Sequence, residues 1–163
     1  MSQPHAAQPS LEAVDYDPFA EAPAYSRAVP STEAQREIWL ACQFGEQASL
    51  AYNEGVSLRL HGDLDQAALH AALHSLVARH DALRACFSDD GQQMLVAEHL
   101  RVELPTHDLG ALDGAQREAA VRSHTRADID RAFDLARGPL VRMQLLALGE
   151  QQWLLLLTAH HIV

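Results

Sequence analysis

Two adjacent histidines close the stretch WLLLLTAHHIV, Trp153 to Val163. Imidazole is the side chain best suited to moving a proton near neutral pH. Neighbouring side chains on an extended backbone point to opposite faces, so His160 and His161 cannot do the same job. One faces the packed interior or a supporting partner, and the other is presented beyond the strand's end. A positioned general base is worth roughly a hundred- to ten-thousand-fold in rate. Residue types alone leave packing and proton transfer both open. His70 and His74 are four apart on a predicted helix, a spacing that metals use, but no third ligand stands nearby in the sequence. They read as solvent-exposed histidines, and no metal site is expected. Cys42 and Cys86 lie inside apolar patterns and read as small buried thiols.

The elements that must position these groups follow from periodicity. In STEAQREIWLAC, Thr32 and Gln35 have capping-box spacing, and Ala34, Ile38 and Cys42 recur at helical intervals beside Trp39. EGVSLRLHG alternates Val56, Leu58 and Leu60 against Ser57, Arg59 and His61, predicting a half-buried strand that ends at Gly62. Asp63 or Asp65 then caps a helix with one apolar face made of Ala68, Leu69, Ala72, Leu73, Leu76 and Val77. LRACF and QQMLVAE are short strands across a turn at Asp89-Asp90-Gly91. VELPTHDL is an extended connection that Pro105 keeps off a sheet interior. A polar helix capped by Asp113 covers Gln116 to Phe133, and Arg137-Gly138-Pro139 breaks the chain. PLVRMQLLAL and WLLLLT form an antiparallel hairpin, the last strand covered on both faces. The order predicts a mixed α/β domain, a sheet with helices packed on it.

Residues 1 to 30 differ from the rest, holding five of the seven prolines (Pro4, Pro9, Pro18, Pro23, Pro30). Repeated proline prevents a continuous helix or interior strand, so this segment reads as a disordered tail or linker. Tyr16 and Phe19 in DYDPF could dock on a neighbouring surface. The net charge of −10 argues against a nucleic-acid backbone as partner. Apolar runs are too short to span a bilayer and the N-terminus has no secretory pattern, so no membrane partner and a cytoplasmic location are expected.

Three stretches in order resemble the condensation domains of non-ribosomal peptide synthetases. TEAQREIW, Thr32 to Trp39, is similar to the family's Ser-x-Ala-Gln-x-Arg-Leu/Met-Trp/Tyr. RHDALRACF, Arg79 to Phe87, resembles Arg-His-Glu-x-Leu-Arg-Thr-x-Phe, and AHHIV opens His-His-x-x-x-Asp-Gly. Glu37 stands where the family has arginine, with Arg36 one place earlier; Asp81 and Ala85 replace glutamate and threonine. The last motif's aspartate and glycine would lie past Val163.

The resemblance implies a reaction: a carrier-bound acyl or peptidyl thioester is joined to the amine of a carrier-bound aminoacyl group. Its substrates ride on phosphopantetheine arms of donor and acceptor carrier proteins, beside other synthetase domains, and no cofactor is bound directly. By the resemblance, His161 is the catalytic base or amine-positioning residue and His160 its support. Thr32, Gln35, Trp39, Arg79, His80 and Arg84 are motif residues with structural roles. The implied fold is one chloramphenicol-acetyltransferase-like lobe of a two-lobed domain, residues 31 to 163 forming the N-terminal lobe, incomplete and inactive alone. Two alternatives remain open: an acyltransferase of the same superfamily using a coenzyme A or carrier thioester, and a catalytically silent module that docks carriers.

Overall fold

The structure, a computed structural model, describes residues 24–163. Its larger sheet has four strands in the order β2-β7-β6-β5. Strands β6 (Val141–Gly149) and β7 (Gln152–His160) form the expected antiparallel hairpin, and β2 (Asn53–His61) lies antiparallel on the other side of β7. The opposite edge is β5 (Thr106–Asp108), parallel to β6 and placed immediately after Pro105. A smaller sheet, β1-β4-β3, joins β1 (Tyr25–Pro30), β4 (Gln93–Ala97) and β3 (Ala85–Phe87). The amide of Phe87 donates to the Leu135 carbonyl, linking β3 to the segment that leads into β6.

Alternation on β7 decides what covers each face. Leu154 and Leu156 pack with Leu146 and Leu148 beneath Ala120 and Val121 of α4 (Gly114–Ile129). On the other face Leu157 and Ala159 join Val141 and Met143 beneath Leu73 and Val77 of α3 (Gln66–Arg79). The apolar residues of β7 are thereby covered from both sides, which is why this strand carries no polar alternation. A third cluster fills the end of the fold where β7 finishes: Cys42, Phe87, Phe133, Leu135, Leu140 and Ile162. Helix α1 (Glu33–Cys42) is placed over it by the Thr32–Gln35 capping box, with both reciprocal bonds formed. A short helix α2 (Glu46–Leu50) carries the chain from α1 to β2.

Several expectations are corrected. Tyr25–Pro30, expected to belong to a disordered tail or linker, pairs with β4 as an edge strand. Its single proline falls at the last position, where a lost donor is tolerated. Residues 1–23, Tyr16 and Phe19 among them, lie outside the described residues. Strand β2 is an edge strand and is not half-buried: Val56 is 54% and Leu58 43% exposed. On α3 only Val77 is buried, and Leu76 is 43% exposed, so the apolar face meets the sheet along a single row. Leu83 and Arg84 belong to a 3-10 turn (Asp81–Arg84) preceding β3.

Helix α4 stops at Ile129, four residues before Phe133, for an identifiable reason. A helix end leaves carbonyls without partners, and here side chains from the sheet take them. The Asn53 amide donates to the Ile129 and Arg131 carbonyls at 2.7 and 3.0 Å, and Arg142 Nη2 donates to those of Asp128 and Arg131. Arg142 Nε also donates to Asp128 Oδ1 at 3.0 Å, with side-chain exposures of only 11% and 8%, and the Thr158 hydroxyl donates to Oδ2. The guanidinium lies 3.8 Å from the centre of the Phe133 ring. Breaking such a pair from one side leaves an uncompensated charge in the interior. Asp128→Ala is expected to cost about 3–5 kcal/mol in urea unfolding, and a loss below about 1 kcal/mol would show that the pair does not hold the helix end.

Candidate active site

The two histidines part as strand alternation requires. His160 is 0% exposed, on the α4 side of β7, and its amide donates to the Leu140 carbonyl at 3.0 Å. The Tyr52 and Phe133 rings stand 5.8 and 6.1 Å from it, the second edge-on. The Ile162 amide donates to Nδ1 at 3.3 Å, so the proton sits on Nε2, which points at Cys42 Sγ 3.6 Å away. Burial drives the pKa of His160 down to about 4, with a smaller push from the neighbouring His161 charge; a bond to the Ser49 backbone opposes it. Burial raises the Cys42 thiol as well. The pair therefore stays neutral on both sides, the opposite of a thiolate–imidazolium dyad. It packs, and it holds the strand end.

His161 faces the other way. Its side chain is 57% exposed, and its amide donates to the Tyr52 carbonyl at 2.8 Å, so the backbone is held while the ring faces outward. Nδ1 lies 2.8 Å from Glu54 Oε1. The register explains the meeting: Glu54 is opposite Ala159, which makes His161 its diagonal neighbour on the same face. Sequence reading singled out the histidines and missed Glu54. Only the β2–β7 register, which no local periodicity contains, brings the two together.

The motif residues surround this strand end unequally. Gln35 donates from Nε2 to the Ile162 carbonyl at 3.1 Å, tying the α1 cap to the residue after the histidine pair. Trp39 packs on the turn at Gly91, where a Cβ would come within 2.4 Å of the indole and φ is +68°. Arg84 donates to the Ala97 and Glu98 carbonyls and to Asp81, which also meets Arg27 of β1. These contacts join both sheets to α1. Arg79 and His80 end α3 with exposed side chains. Glu37 is exposed on α1, while Arg36 donates to the Ser31 carbonyl. The His70 and His74 rings stack edge-on at 4.8 Å, and among the described residues no group of three or more His, Cys, Asp or Glu is placed to hold a metal ion.

The sequence profile of the Condensation domain family matches residues 25–163. The chain belongs to the condensation-domain family. Among curated proteins it is similar to a chondramide synthase of Chondromyces crocatus, 37% identical over 141 residues covering 85% of this chain and 4% of that protein. A dimodular non-ribosomal peptide synthase of Bacillus subtilis is 38% identical over 152 residues, covering 86% of this chain and 6% of that protein. Among solved structures, the starter condensation domain of the rhizomide synthetase aligns with TM-score 0.74 at 33% identity, covering 84% of this chain and 33% of that one. A mutant of the same domain in complex with C8-CoA and Leu-SNAC aligns with TM-score 0.73 at 31% identity, covering 83% and 31%. The condensation segment described here thus spans about a third of those structures and a few per cent of the curated synthetases. Like them it is an α/β fold of sheets with packed helices. Among the described residues no helix is long and apolar enough to cross a membrane.

The low pKa of His160 has a consequence for stability. In the unfolded chain the ring titrates at its ordinary value near 6.5, so below that pH the unfolded state binds the extra proton. Stability is fully present above about pH 6.5 and is lost as pH falls toward about 4. The loss over that window is on the order of 2–3 kcal/mol. Urea unfolding between pH 7 and 5 should show this slope, and His160→Gln should flatten it. An unchanged slope in His160→Gln would assign the pH dependence to other groups.

Proposed function

We propose that this chain is the histidine-bearing, N-terminal lobe of a peptide-synthetase condensation domain, acting as an acyl (peptidyl) transferase. In this reading it joins an acyl or peptidyl thioester on one carrier protein to the amine of an aminoacyl thioester on a second carrier. The observation that supports it is the division of labour at the end of β7. His160 is sealed and neutral, whereas His161 is held by its backbone and open at its ring. The likeness to a starter domain complexed with C8-CoA and Leu-SNAC is consistent with thioesters on both sides of the reaction.

The chemistry is an aminolysis. The acceptor amine attacks the thioester carbonyl; a C–N bond forms and the C–S bond breaks. The departing sulfur remains on the donor's phosphopantetheine arm. His161 Nε2 takes the proton that the amine nitrogen sheds and passes it to the thiolate, leaving an amide and a free thiol. His160 supports the strand end and touches no substrate. Thr32, Gln35, Trp39 and Arg84 act at one remove, through the packing that carries that strand end.

The whole condensation domain containing this sequence, supplied with loaded donor and acceptor carriers, provides the test. His161→Ala should slow dipeptidyl thioester formation by about a hundredfold or more. His160→Ala should act through stability, its rate recovering at temperatures where the variant stays folded. Undiminished condensation by His161→Ala would remove the base assignment. A folded His160→Ala protein with the full defect would exchange the two roles.

A further inference from the structure

Glu54 is charged, two-thirds exposed and absent from the motifs, yet it is the side chain that meets the ring of His161. We propose that Glu54 is a positioning residue that fixes the tautomer and the orientation of His161; the inference rests on His161 being the base. A carboxylate can only accept, so the 2.8 Å contact places the neutral ring's proton on Nδ1 and leaves the lone pair on Nε2. Without a partner, neutral imidazole favours the other tautomer, which would aim an N–H where the base must accept.

The carboxylate is well placed to do this because its strand is pinned from behind. Asn53, one residue earlier, donates to the Ile129 and Arg131 carbonyls of the α4 terminus. Gly55, one residue later, lies directly against Ile129, where a Cβ would come within 2.5 Å of Cδ1. The Tyr52 carbonyl accepts from the His161 amide. Residues 52 to 55 thus hold the histidine's backbone and ring while themselves held by α4. The arrangement is a base oriented by a third group, with the backbone supplying the distance and the register supplying the pairing.

Long-range ¹H–¹⁵N correlation of the histidine rings in this chain at pH 8 reads the tautomer directly, with His161→Gln identifying the resonance. The expected result is Nδ1–H for His161 in the native chain. Glu54→Ala should convert it to Nε2–H, while Glu54→Gln, whose amide oxygen still accepts, should retain Nδ1–H. Unaltered His160 ring signals serve as the control for folding. In the whole domain Glu54→Ala should lower kcat about tenfold with KM little changed, and Glu54→Gln should recover most of it. An Nε2–H ring in the native chain, or an Nδ1–H ring that persists in Glu54→Ala, would overturn the proposal. A shifted tautomer with full condensation activity in both Glu54→Ala and His161→Ala would overturn the base reading, while Glu54 would still be shown to hold the ring.

Discussion

The imidazole of His160 enters the interior without a counter-charge, and it can do so only in the neutral form. Burying an unpaired imidazolium would cost far more than packing returns, so burial selects the neutral state. The neutral ring must then have its polar atoms met: Ile162 supplies a donor to Nδ1, and Nε2 is directed at Cys42. Those two contacts bring the end of α1 and the residues after β7 to one place. Phe87, Phe133 and Leu140 fill the volume around it. Much of the fold's connectivity follows from closing this strand end around a ring that is not charged.

The opposite orientation of His161 follows from the same strand. Pleating places a sealed residue and an open one side by side, so rigidity is built behind the open ring without covering it. Asp128, Arg142 and Thr158 extend the support one layer further, since the ion pair that ends α4 also seats Phe133 against His160. On the far face, the exposed Val56 and Leu58 continue the row that Glu54 begins along β2. The open histidine therefore sits at the polar end of an apolar strip.

How much of this was legible depended on whether the signal was local. The capping box at Thr32, the caps at Asp65 and Asp113, and the β6–β7 hairpin each follow from residues within a few positions of one another. The opposite orientations of the two histidines follow from strand geometry alone. Burial did not follow in the same way. Val56 and Leu58 alternate as a half-buried strand would, but sheet order puts β2 at an edge, where neither helix covers them. Tyr25–Pro30 looked like tail because proline dominates its neighbourhood, and its pairing with β4 spans nearly seventy residues. The α4 terminus was set by Asn53 and Arg142 reaching from other strands. Glu54 needed the β2–β7 register, which is information about the sheet and not about its strands.

At the end of β7 His160 is sealed and His161 is open, and the support around the strand end depends on that division. Carbethoxylation with diethyl pyrocarbonate, followed by tandem mass spectrometry of the C-terminal peptide, measures both rings in one experiment. His161 should be modified on the timescale of a fully presented histidine such as His99, whose side chain is 92% exposed. His160 should remain unmodified until the chain is unfolded. Equal modification of the two rings in the folded protein, or preferential modification of His160, would contradict the account.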